Sequence, residues 1–284
     1  MERENILIYG VLMKKYFVLF FLVSSILFSQ EVEYFPKGLN VRPFTANVLE
    51  PRLGFAFKTN VKELRLDIGN SVDLISLKSK HSNLSFGADL FTWTLLKEEA
   101  NFHFPVDAVD YFFGVNFGLY QNSKYYDYGF RLRISHISAH LVDGHYDKNN
   151  LQWINNKLPR VYSREFLELI PFIKIEYLRM YAGLTYLFHT DPIVNKKLVY
   201  QVGFDYYRND LVTKMFFPFI GVDLKIDQNG TKSFNQSYYA GIKFGNAEDK
   251  GIKIYYSYLN GMSIHGEYFD SQESYSSIGI TIDF

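Results

Sequence analysis

From Arg52 to the end of the chain, apolar and polar residues alternate with a period of two, broken at intervals by short polar stretches. A strand puts successive side chains on opposite faces, so the pattern predicts β-structure with one apolar and one polar side. The predicted strands span 53–57, 62–78, 84–97, 110–121, 125–142, 164–178, 180–189, 198–207, 212–225, 238–245, 251–259 and 274–284, with Gly69 marking a break inside the second. Their faces agree: Tyr111, Phe113, Val115, Phe117 and Leu119 share one side, against Gly114, Asn116, Gly118 and Tyr120. Tight turns fall at Asn60, 122–124, Arg179, 209–210 and 247–250, and long connections at 98–109 and 143–163. About twelve such strands, joined alternately by short and long connections, predict an all-β fold, a transmembrane antiparallel up-and-down β-barrel. Lipid tolerates charge poorly, so Arg131, Arg133, Glu176, Asp205, Asp223 and Lys243 are expected to face the lumen. A lumen with both signs of charge is expected to close through its own ion pairs, since side chains nearly fill a barrel of this size.

No run of eighteen apolar residues occurs outside the N-terminus, which excludes a helical membrane bundle. Aromatics make up 18% of the chain, with Tyr 23 and Phe 27 against Trp 2, as suits a surface passing from lipid to water. Thirty basic residues balance thirty acidic ones, so no nucleic-acid partner is expected. The absence of cysteine excludes disulfides, thiolate metal sites and a cysteine nucleophile. Lys14 and Lys15 precede an apolar run over 16–28 and the small residues Ser24, Ser25 and Ser29, the pattern of a cleaved signal peptide over 1–30 with Met13 as the natural start. Residues 31–50 hold Pro36, Gly38 and Pro43 without alternation and read as a periplasmic lead-in to a barrel of 51–284. At the end, Ile278, Ile280, Ile282 and Phe284 share a face. This strand resembles the C-terminal recognition strand of bacterial outer-membrane barrels, which implies a Gram-negative outer-membrane location and the barrel-assembly machinery as a partner.

The candidate chemistry lies in 128–143, YGFRLRISHISAHLVD. Counted from a periplasmic N-terminus this strand is the fifth and rises, which leaves His136, Ser138 and His140 at its extracellular end. They share the parity of Phe130, Leu132 and Ile134 and so point toward lipid at headgroup height. Same-face neighbours on a strand have Cα atoms about 6.6 Å apart, close enough for an imidazole to reach a serine hydroxyl. Ser138 is therefore a candidate nucleophile and His136 its general base. Asp143, Asp147, Asn149 and Asn150 in the following loop are candidates for a third member. Alternatives are interfacial polar residues without chemistry, or metal capture by His136 and His140 with Asp143 and His145. His103, His189 and His265 read as single histidines on loops or at the rim. No other cofactor motif appears.

Four stretches, FPKGLNVRPFTANVLEPRLGFAF, HISAHLVD, RMYAGLTYLFHTDP and SYLNGMSIHGEYFD, resemble an uncharacterised bacterial outer-membrane family, domain of unknown function 1207. Membership implies an outer-membrane barrel and no established activity. The His-x-Ser pair also resembles the site of outer-membrane phospholipase A and of lipid A deacylases, although Ala139 stands where those enzymes commonly carry Asn. Three roles follow: a structural or binding barrel, a serine-dependent hydrolase acting on phospholipid or lipopolysaccharide, or a narrow channel.

Overall fold

The alternation closes on itself. The computed structural model describes residues 31–208, 215–227, 233–245 and 250–283; the segment expected as a signal peptide, the expected turn at 209–210, most of the one at 247–250, and the terminal Phe284 lie outside them. The elements are β1 (Glu31–Tyr34), β2 (Leu53–Lys58), β3 (Glu63–Lys78), β4 (Ser82–Lys97), β5 (Val106–Asn122) and β6 (Asp127–Leu141), then a loop hairpin of β7 (Tyr146–Asp147) and β8 (Gln152–Trp153). They continue with β9 (Tyr162–Ile175), β10 (Leu178–Asp191), β11 (Leu198–Tyr207), β12 (Phe216–Asp227), β13 (Ser233–Gly245), β14 (Gly251–Met262) and β15 (Gln272–Asp283). Leaving out β1 and the loop hairpin, each strand pairs antiparallel with the next, and β15 returns to β2 through the ladder from Ser277↔Lys58 to Ile282↔Leu53. The result is a closed barrel of twelve strands.

Side-chain exposure follows the alternation. Tyr111, Phe113, Tyr200, Val202 and Ile242 are exposed on the outside, whereas Arg131, Arg133, Asp205, Asp223 and Lys243 are buried inside. Three local expectations change. The β9–β10 turn is formed by Glu176, at φ +50°, and Tyr177, so Glu176 lies in the turn instead of the lumen and Arg179 is a strand residue. Strand β3 runs unbroken through Gly69, and its irregularity falls between Asp73 and Ile75. The tight turn after β2 lies at the same end as the long 98–105 and 142–161 connections.

The lead-in does not stay outside. Strand β1 pairs with the far end of β3, from Glu31↔Lys78 to Tyr34↔Ile75, and the following residues enter the lumen. Phe44, Ala46 and Asn47 are fully buried there. The Phe44 ring lies 4.3 Å from that of Tyr181, with the guanidinium groups of Arg131 and Arg179 at 4.9 and 4.4 Å from its centroid. Glu50, 1% exposed, accepts two hydrogen bonds from Arg131 at 2.7 and 2.5 Å and one from Arg133 at 2.9 Å. Asp89 lies 3.1 Å from Arg133, and Glu168 lies within 3.5 Å of both arginines. Two arginines in a low-dielectric interior need such carboxylates close by, because an unpaired buried charge is costly. The wall supplies two of them and the inserted segment the third. Beneath this plug, at the short-turn end, a cavity of about 500 Å³ remains.

The opposite end is capped by loops tied to β5. Asp107 accepts hydrogen bonds from Lys97 and Tyr268, each at 2.5 Å, and pairs with His145 at 2.6 Å. Asp110 pairs with His265 at 2.8 Å and accepts the Gly266 N–H at 2.7 Å. His265 is 1% exposed, so it is a buried clasp and not a solvated rim residue.

Candidate active site

His136, Ser138 and His140 face outward near the long-loop end of β6, while their neighbours Ser135, Ile137 and Ala139 are buried inside. On the next strand the same outward face carries Ser163, Glu165, Leu167 and Leu169, because β6 and β9 are in register with His136 opposite Glu165 and Ser138 opposite Ser163. His136 Nδ1 lies 2.6 Å from Glu165 Oε1, and both side chains are 25% exposed. A carboxylate only accepts, so Nδ1 carries the proton and Nε2 of the neutral ring is left as the acceptor. Ser163 Oγ donates to the same Oε1 at 3.0 Å. The second oxygen, Oε2, is held by His189 Nδ1 from β10. Phe113 covers one side of the imidazole of His136, with ring centroids 4.8 Å apart.

Ser138, His136 and Glu165 thus share one outward face: a hydroxyl, an imidazole with its acceptor nitrogen free for a proton, and a carboxylate orienting the opposite nitrogen. This is the composition of a nucleophile, base and orienting acid. No hydrogen bond joins Ser138 to His136 among the described residues, and Ser138 sits across the ladder from Tyr111 and Ser163. Catalytic hydrogen bonds are often long in unliganded sites and tighten with substrate.

Among the described residues no hydrogen bond joins the loop residues expected as a third member to His136 or Ser138. Asp143 is exposed in the turn Asp143–His145. Asp147 closes its own loop, accepting the N–H groups of Asn149 and Asn150 at 2.9 and 3.2 Å. The expected metal set does not assemble either: His145 is buried against Asp107, His140 is exposed with its ring 6.0 Å from that of Tyr111, and among the described residues no group of three or more His, Asp or Glu side chains is arranged to hold a metal ion. The residue missed in the sequence is Glu165. Its signal was a carboxylate at the lipid-facing parity of Leu167 and Leu169, where a strand otherwise avoids charge.

The profile of a protein family described as protein of unknown function DUF1207 matches residues 105–284, which hold β5, β6 and every later strand. The chain belongs to this DUF1207 family. The match covers the HISAHLVD, RMYAGLTYLFHTDP and SYLNGMSIHGEYFD stretches and leaves the inserted N-terminal segment outside. No curated protein matches the chain. Among solved structures, this DUF1207 barrel is similar to outer membrane phospholipase A from Escherichia coli, with a TM-score of 0.52, 10% identity, and coverage of 86% of this chain and 94% of that one. Looser likenesses are the KdgM porin, at a TM-score of 0.37 and 11% identity over 82% of this chain and 98% of that one, and the translocator domain of the autotransporter NalP from Neisseria meningitidis, at 0.39 and 10% over 84% and 91%. At such identities the likeness concerns the fold, which is that of outer-membrane β-barrels.

Proposed function

We propose that this protein is an outer-membrane serine hydrolase that removes acyl chains from lipids of the outer leaflet, with Ser138 as nucleophile, His136 as general base and Glu165 as the orienting carboxylate. The observation that carries this reading is the 2.6 Å contact between His136 Nδ1 and Glu165 Oε1 on the outer face of the barrel, beside an outward serine on the same strand. The long-loop end is then extracellular, as in outer-membrane barrels generally, and the three groups stand at headgroup height where ester bonds lie. The fold shared with an outer membrane phospholipase A supports the same location and substrate class.

The chemistry runs in two halves. Ser138 Oγ attacks the ester carbonyl as its proton passes to His136 Nε2, and Glu165 stabilises the resulting imidazolium. The imidazolium then protonates the departing alcohol oxygen, releasing the lysolipid and leaving an acyl ester on Ser138. Water, deprotonated by His136, releases the fatty acid and restores the serine. The filled lumen argues against the channel reading, since Glu50, Arg131, Arg133 and Phe44 occupy its centre. The test is mass spectrometry of phospholipid and lipopolysaccharide incubated with the refolded barrel and with Ser138→Ala. Acyl loss that requires Ser138 is expected; equal lipid profiles with a folded barrel would sink the proposal.

A further inference from the structure

Strand β10 carries an irregularity that bears on this site. Along its regular part Leu187 is buried inside and Tyr186 is exposed outside, so continued alternation would turn His189 into the lumen. The ladder instead passes from Leu187↔Phe166 to His189↔Glu165, leaving Phe188 as one extra residue. Phe188 and His189 are both exposed outside, and Thr190 returns to the interior. Bulges of this kind re-aim side chains at functional sites. Here the extra residue delivers a second imidazole to Glu165: Oε1 faces His136 Nδ1 and Oε2 faces His189 Nδ1.

We propose that His189 is a positioning residue that sets the pH window of the exterior site by holding the second oxygen of Glu165. The inference rests on the hydrolase reading for its consequence, but not for its physical content. As Nδ1–H donor the neutral His189 fixes the carboxylate so that Oε1 stays on His136. When His189 is protonated, a full positive charge shares the carboxylate that must stabilise the imidazolium of His136, and the second cation is disfavoured. The titratable and charged groups around His189 are Glu165 on the neighbouring β9, His136 beyond it on β6, Asp191 on its own strand, and Lys196 and Lys197 in the adjoining connection, with Arg164 bonded on the inner side to the Asp191 carbonyl at 2.7 Å. Lys197 Nζ donates to the Phe188 carbonyl at 3.4 Å, on the bulge itself.

The experiment uses the full barrel in lipid nanodiscs, in wild-type, His189→Gln and His189→Ala forms. The titration of the His136 imidazole is followed by NMR, beside the acyl-release rate against pH. Glutamine keeps a neutral donor toward Glu165 without titrating. The expected result is a His136 titration that differs between wild type and His189→Gln, because a second imidazole no longer shares Glu165. The acid limb of kcat/KM should fall with two protons in the wild type and one in His189→Gln. His189→Ala, which frees the carboxylate, should be slower by about tenfold throughout. An unchanged His136 midpoint in both variants, with a folded barrel, would overturn the proposal whether or not the protein hydrolyses lipid. A shifted midpoint in a barrel without acyl release would support the coupling and leave the hydrolase reading alone refuted.

Discussion

Glu165 is the residue on which the site turns, because it converts a pair of polar side chains on one strand into an oriented arrangement across two. Replacing it by glutamine preserves shape and removes the charge that stabilises an imidazolium. Acyl release by Glu165→Gln should fall by about 10³–10⁴-fold, the scale seen when the orienting acid of a serine triad loses its charge, while the barrel still folds. A loss of less than tenfold would remove Glu165 from the chemistry. In the lumen, Glu50 is the matching case. Glu50→Gln withdraws the negative charge from between Arg131 and Arg133, and the destabilisation expected for breaking a buried pair is about 3–5 kcal/mol, measurable as a lowered urea midpoint of the refolded barrel. An unchanged midpoint would mean that Asp89 and Glu168 suffice.

At the scale of elements, the strands and their faces were legible in the sequence because lipid on one side and a charged interior on the other force a strict alternation. Arg131 and Arg133 could be placed inside, and His136 and Ser138 outside, from parity alone. The irregularity of the ladder was not legible: His189 reads as a single loop or rim histidine, and only the extra Phe188 shows that it is turned outward onto Glu165. Register was also hidden, since nothing in one strand says which residue of the next stands opposite, and the third member was sought in the adjoining loop instead of on β9. The loops obey a different control. The Arg160–Asp270 pair, at 2.6 Å, ties the 142–161 and 263–271 connections together, and that hydrogen bond holds the Asp270 carboxyl below its usual range. Its contribution is present above the unfolded carboxylate value of about 3.9 and is lost as pH falls through the lowered folded value. The protection of amides in both connections against hydrogen exchange, taken relative to the intrinsic rate at each pH, should therefore fall as the pH drops below about 4, while the barrel strands remain protected. Protection that is flat across that range would show the pair to be idle.

For the whole molecule, the consequential feature is the segment threaded through the lumen, which a sequence without alternation could not reveal. Pro36, Gly38 and Pro43 mark it as irregular, and only the closed wall supplies the partners that make irregular backbone tolerable inside a barrel: Arg179 donates to the Arg42 and Pro43 carbonyls at 2.9 and 2.7 Å. The wild-type barrel should be silent in planar bilayers, and a variant lacking residues 36–50 should conduct; steady wild-type currents would restore the channel reading.

With the lumen plugged at its centre by Glu50, Arg131, Arg133 and Phe44, the proposed hydrolase would work on the lipid face of the barrel, where the cluster of His136, Glu165 and His189 lies. The most direct test is labelling of the detergent-solubilised barrel with a fluorophosphonate, which forms a covalent bond only with an activated serine, followed by peptide mass spectrometry. The account predicts a single adduct on Ser138, lost in His136→Ala and strongly reduced in Glu165→Gln. A folded barrel that takes up no label, or takes it up equally in all three forms, would contradict it.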